Sequence, residues 1–335
     1  MMIGRLTVKK VMTGFARSAL ATLFLLTSSA HALENEKEAQ LWLERMSNAI
    51  KTLNYEGTFV YIHGKQMETM RIIHSNENGV ERERMLSLAG EPREILRDNN
   101  SLICILPDSK SVVVEKSRPQ KYLPIGLQNI TSNLKKYYRF RIVDSERMTG
   151  RDAIVIDVHP VDLYRYGYHL WLDKKTAMLL KSDLIDSKGN PVEQVMFTQL
   201  DIRESIPATE LEATISSSGY KLFKQKREKG VDHNSQWNVS RLPAGYMKGM
   251  HKTHGIPTSR MPVEHLMFTD GISSVSVYIE EMNKDKPMMK GFSKMGAVNA
   301  YTTVISSHYV TVVGEVPKAA VKSIGDHVRF RPKSK

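Results

Sequence analysis

The residues best able to bind a metal or attack a substrate are a single cysteine and a scatter of histidines. Cys104 lies in Leu102-Ile103-Cys104-Ile105-Leu106, a β-like apolar run. A reactive thiolate needs a polar or cationic setting, so Cys104 reads as a buried small hydrophobe. One cysteine also excludes an internal disulfide. His251 and His254 stand three apart in what reads as a loop bounded by Gly and Pro. With no third ligand near them in sequence, they read as solvated loop residues rather than a metal site. His63 and His74 end neighbouring strands and could lie close together. Asp152, Asp157, Asp183 and Asp186 are spread over strands and turns, as solvated charges are. There is no Gly-x-Ser-x-Gly elbow, Gly-rich phosphate loop or His-Glu-x-x-His helix. The chain therefore reads as a non-enzyme, with no metal and no cofactor expected.

Two further groups suit binding better than reaction. Tyr164-Arg165-Tyr166-Gly167-Tyr168 sets three phenol rings around a cation. It reads as aromatic strand packing, with a lipid entrance or a peptide groove as alternatives. Residues 219–230 hold five basic residues and one acidic, among them Lys221, Lys224, Lys226 and Arg227. This run is either a solvated linker or a contact for a partner or an anion.

The formal charge of +12 divides unevenly: +4 in residues 1–32, about −2 in 33–218, +4 in 219–230 and +6 in 231–335. Residues 1–32 have the pattern of a secretory signal peptide. Arg5, Lys9, Lys10 and Arg17 precede an apolar run from Ala19 to Leu26. Ser28-Ser29-Ala30-His31-Ala32 then puts small residues where a signal peptidase reads, so cleavage is expected after Ala32, with Met12 as a second candidate start. The apolar run is shorter than the roughly 20 residues that span a bilayer. A soluble mature protein outside the cytoplasm is expected, with no nucleic acid among its partners. Anionic lipid headgroups, lipopolysaccharide phosphates or an acidic protein segment suit its charge.

The elements follow from periodicity. Glu34 to Leu53 reads as an amphipathic helix with Trp42, Met46, Ala49, Ile50 and Leu53 on one side. Strands follow at 57–63, 66–74, 80–88, 94–97, 102–106 and 112–116, broken by polar turns. The interval 118–138 interrupts them, with a short helix up to Lys136. Strands resume at 153–158, 166–172, 178–185 and 192–200, and Ser187-Lys188-Gly189-Asn190 is the best turn. The reading is α+β: a large curved antiparallel sheet whose apolar face is covered by helices. The boundaries are a signal peptide at 1–32, a first domain at 33–215, a basic linker at 216–232 and a smaller α+β domain at 233–330. In the second domain 247–262 reads as a long loop. Asp270-Gly271 turns a hairpin, and a closing helix from Pro317 buries Ala320, Val321, Ile324 and Val328.

Several stretches, in order along both domains, resemble the periplasmic sigma-E regulators of the RseB/MucB family. They are Gly57-Thr58-Phe59-Val60-Tyr61, Tyr166-Gly167-Tyr168-His169-Leu170-Trp171-Leu172-Asp173 and Leu184-Ile185-Asp186-Ser187-Lys188-Gly189-Asn190-Pro191 running on to Thr198. In the second domain they are Trp237, Leu242-Pro243-Ala244-Gly245-Tyr246, Asp270-Gly271-Ile272-Ser273-Ser274-Val275-Ser276-Val277 and Val312-Val313-Gly314-Glu315-Val316-Pro317.

The resemblance implies a first domain similar to the lipoprotein carriers LolA and LolB, an unclosed β-barrel packed on helices. It implies binding to the periplasmic segment of a single-span anti-sigma factor, protection of that segment from site-1 proteolysis, and release by lipopolysaccharide or another acylated lipid. A periplasmic lipid or lipoprotein carrier is the alternative, and a hydrolase of envelope polymers is a third reading that the missing motifs weigh against. On this resemblance Phe59, Ile72, Ile103, Ile154, Ile156 and Leu170 are expected to line a lipid cavity. Lys221, Lys224, Lys226 and Arg227 are expected to contact the partner or an anion. Homo-oligomerisation is left open.

Overall fold

The computed structural model describes residues 33–117, 134–224, 235–254, 263–282 and 289–332. The expected leader and its cleavage position, most of the 118–138 interval, and Lys226 and Arg227 lie outside the described residues.

Helix α1 occupies residues 33–52. Ala39, Leu43, Met46, Ala49 and Ile50 recur at helical spacing and are all buried, while Trp42 and Leu53 sit half-buried at the margin of that stripe.

The stripe packs on one sheet of twelve strands. These are β1 (Asn54–His63), β2 (Gln66–Glu77), β3 (Val80–Ser87), β4 (Glu94–Asp98), β5 (Ser101–Leu106), β6 (Ser111–Lys116), β7 (Tyr138–Met148), β8 (Arg151–Pro160), β9 (Gly167–Asp173), β10 (Leu179–Ile185), β11 (Pro191–Arg203) and β12 (Lys221–Lys224). Their order is β12-β6-β5-β4-β3-β2-β1-β11-β10-β9-β8-β7, so the sheet is unclosed and ends on β12 and β7. All neighbours are antiparallel except β12, which runs parallel to β6. Gly57 allows the close pairing at the centre. A Cβ there would meet the Gln199 carbonyl and the Phe197 ring at 2.8 Å.

The second domain has a six-stranded sheet and a two-stranded one. The small sheet pairs β13 (Trp237–Val239) with β20 (Val328–Phe330). The larger is β14 (Met247–His254), β15 (Val263–Thr269), β16 (Ser274–Glu281), β17 (Gly291–Met295), β18 (Val298–Ile305) and β19 (His308–Gly314), in the order β14-β15-β16-β19-β18-β17. Helix α2 (Lys318–Asp326) follows Pro317 and buries Ala320, Val321 and Ile324 with the inward side chains of this sheet.

Several expectations need correction. β7 was not foreseen, although Tyr138, Phe140 and Ile142 alternate with Arg139 and Arg141 along it. Residues 221–224, read as linker, extend the sheet as β12. The loop expected at 247–262 begins as β14. Val328 belongs to β20, because the helix ends at His327. Cys104 is half-buried rather than buried, since β5 lies near the end of the sheet.

Candidate functional site

Cross-strand register defines the face that α1 covers. Phe59 pairs with Met70, Gly57 with Ile72, and Ile72 with Met85. On the other side of β1, Phe59 pairs with Phe197, and the face continues through Leu170, Ile156 and Ile142. Phe59, Ile72, Ile154, Ile156 and Leu170 therefore share one face, and all five belong to one buried cluster with Ala39, Leu43, Met46 and Ile50 of α1. The Phe59 and Phe197 rings pack at 5.6 Å. Ile103 is not brought to them. It pairs with Leu96 and Val114, whose row lies on the opposite face, while its neighbour Cys104 pairs with Ile95. Phe59, Ile72, Ile156 and Leu170 are at most 1% exposed. An acyl chain would reach these four side chains only by displacing those packed on them.

One end of this interior is charged. Tyr55, His74, Glu83 and Arg97 form a row across β1 to β4. His74 stacks on Tyr55 at 4.7 Å, and its Nδ1 lies 2.8 Å from the Leu53 carbonyl at the end of α1. Glu81 meets His74 Nε2 at 3.3 Å and is also paired with Arg97. Burial alone would raise the Glu81 carboxyl, but hydrogen bonds from His74 and Arg97 prevail and hold it at about 2. Burial prevails at Glu83 and pushes its carboxyl up, despite Arg97 at 2.9 Å. Nearby, the fully buried Glu94 accepts from Thr214 N, Ile215 N and Arg84, which ties the segment before β12 to the sheet.

A groove of about 370 Å³ runs between the second half of α1 and the β9–β10 turn. Trp42, Arg45, Asn48, Thr52, Lys174, Lys175 and Thr176 are among its ten lining residues, three of which are cations and none an acid. The Arg45 guanidinium lies 5.4 Å from the Trp42 ring centre. Asp173 fixes the turn by accepting from Thr176 Oγ1 at 2.7 Å and from Arg151 at 3.2 Å.

The Tyr164–Tyr168 group forms the junction between the domains. Arg165 is fully buried and donates to Asp270 at 2.6 Å and to the Ala244 carbonyl at 2.5 Å, and it also pairs with Asp162. Its guanidinium lies 4.7 Å from the Tyr137 ring centre and 4.9 Å from that of Tyr246. Burial would lower its pKa, but Asp270 and Asp162 outweigh that and raise it. Asp270 also accepts from Tyr138 Oη at 3.2 Å and from the Ser273 amide at 2.8 Å. Tyr166 Oη donates to the Ala297 carbonyl at 3.2 Å and accepts from Asn299. Gly245 has φ +86°, and a Cβ there would fall 2.4 Å from the Tyr137 ring. This junction was missed as such, because its partners lie some hundred residues apart in sequence.

The other polar candidates also differ from expectation. His63 pairs with Gln66 and His74 with Tyr55, so the two histidines sit at opposite ends of one hairpin. His251 is buried beside Glu264, with Nε2 to Oε1 at 2.5 Å, rather than solvated. The side chain of His254 is outside what is described. Asp157 and Asp183 are buried against Arg141 and Lys181, whereas the half-buried Asp186 caps its turn. Among the described residues no cluster of three or more His, Cys, Asp or Glu could hold a metal.

Comparison with known proteins matches residues 38–215 to the MucB/RseB N-terminal domain and residues 231–329 to the MucB/RseB C-terminal domain. The chain is 31% identical to the sigma factor AlgU regulatory protein MucB of Pseudomonas aeruginosa, over 92% of this chain and 96% of that protein. It is 26% identical to the sigma-E factor regulatory protein RseB of Salmonella typhimurium, over 95% and 98%. Among solved structures it resembles the Pseudomonas aeruginosa MucA/MucB complex at TM-score 0.71 and 28% identity, covering 88% of this chain and all of the matched one. A crystal structure of MucB matches at TM-score 0.60 and 26% identity, covering 88% and 98%.

Proposed function

The chain belongs to the MucB/RseB family, and on that premise we propose that it is a periplasmic regulator of a sigma factor. It binds the periplasmic segment of a single-span anti-sigma factor and keeps that segment from site-1 proteolysis. The observation that carries this reading is the likeness, across both domains, to MucB held in a complex with MucA(peri). A protein exported past the inner membrane reaches a cytoplasmic sigma factor only through such a spanning intermediary.

Release by lipopolysaccharide or another acylated lipid is the second part of the reading, and the groove beside α1 favours it. Three cations and an indole, with no acid, suit a phosphorylated sugar headgroup. Acyl chains bound next to it would enter by loosening α1 from the sheet.

The test uses the purified mature chain and the soluble periplasmic segment of a single-span anti-sigma factor from the same organism. Binding, slower cleavage by the site-1 protease and loss of both on adding lipopolysaccharide are expected. Failure to bind the segment rejects the reading. Transfer of lipid between vesicles without segment binding would establish a carrier instead.

A further inference from the structure

The sheet ends on β12, beyond which no strand is paired among the described residues. Its four side chains, Lys221, Leu222, Phe223 and Lys224, are all exposed, Leu222 by 56% and Phe223 by 55%. Side chains alternate along a strand. Lys221 and Phe223 therefore project to one side of this rim, and Leu222 and Lys224 to the other. Each side carries one cation and one large apolar group. Lys110 adds a cation at the same corner, where its carbonyl accepts from Lys221 N at 2.9 Å. Lys226, Arg227 and Lys229 follow in sequence, so residues 219–230 hold five basic residues and one acidic.

We propose that this rim docks edge-on against the headgroup layer of an anionic bilayer. Lysines on both sides meet lipid phosphates, while Leu222 and Phe223 enter the boundary with the acyl chains. A peptide strand added to β12 would gain few ladder bonds from four residues. A membrane surface engages both sides of a rim at once. Stable surface binding needs two signals together, apolar insertion and basic attraction, and β12 supplies both. The rim is separate from the groove beside α1 and from the domain junction, and the inference does not depend on which protein the chain regulates.

The experiment is co-sedimentation of the mature chain with phosphatidylglycerol-containing vesicles and with pure phosphatidylcholine vesicles. Binding to the first is expected and should fall with added salt. Lys221→Gln with Lys224→Gln should weaken it about tenfold or more, and Leu222→Ser with Phe223→Ser should weaken it about tenfold. Both variants change exposed side chains and should keep the parent's melting temperature and its affinity for the soluble partner segment. Equal binding to neutral vesicles, no vesicle binding, or parental vesicle binding by both folded variants would overturn the proposal. So would loss of partner-segment affinity in either variant, which would assign the rim to the protein partner.

Discussion

The guanidinium of Arg165 and the carboxylate of Asp270 meet at 2.6 Å with neither side chain exposed, one from each domain. A buried charge that loses its partner is costly, because water cannot replace it. Asp270→Ala should therefore destabilise the chain by about 3–5 kcal/mol in urea unfolding. The double variant Arg165→Leu, Asp270→Leu should cost less than the two single changes combined. A single-variant cost under about 1 kcal/mol, the size of a surface pair, would show that the junction does not rest on this contact.

Gly245 is the second fixed point of the junction. Gly245→Ala combines a left-handed backbone with a clash on Tyr137 and should cost more than about 2 kcal/mol in the same assay. Gly189 also has a positive φ, but a methyl added there would meet nothing within 4 Å. Gly189→Ala should cost about 1 kcal/mol, so the difference between the two measures the steric contact alone.

Acid should weaken the fold through Glu81. Its carboxyl titrates near 4.5 ordinarily and at about 2 in the folded protein. The unfolded chain therefore takes up the proton first, and this stabilisation is complete above the ordinary value and is lost as pH falls towards 2. Glu94 acts in the same direction: burial opposes its ionised form, but the Ile215 and Thr214 amides and Arg84 outweigh that. Glu83 acts in the opposite direction, its pKa being raised by burial. Melting curves between pH 6 and about pH 2 should fall less steeply for Glu81→Gln than for the parent. Parallel curves would refute the assignment.

Leu170→Ala tests whether the interior under α1 is filled. A packed site should lose about 2–5 kcal/mol on this truncation. A hollow one would lose far less, and an apolar dye would bind the parent as well as the variant.

The hairpins and α1 were legible because their signals are local: alternation, helical spacing and turn residues such as Lys188-Gly189. β7 was missed because Arg139 and Arg141 dilute an otherwise clear alternation of Tyr138, Phe140 and Ile142. Ile103 was placed on the wrong face because a continuous apolar strand carries no period, and only its pairing with Leu96 decides the side. Asp157 reads as solvated because its neutralising cation, Arg141, becomes a neighbour only once β7 pairs with β8, whereas Lys181 stands two residues from Asp183 on the same strand. The Tyr164–Tyr168 cluster stood out in sequence, but its role depends on Asp270 and Asn299 far along the chain.

The position of β1 between β2 and β11 sets the order in which this molecule can assemble. β2 follows β1 at once, whereas β11 reaches it only when Pro191–Arg203 is available, with Asn54 opposite Arg203. The earliest strand thus waits with one edge open for almost the whole first domain. Pairings this distant in sequence slow folding and leave unpaired edges exposed meanwhile. Until β11 closes against β1, the chain should be most dependent on holding chaperones and most open to proteolysis.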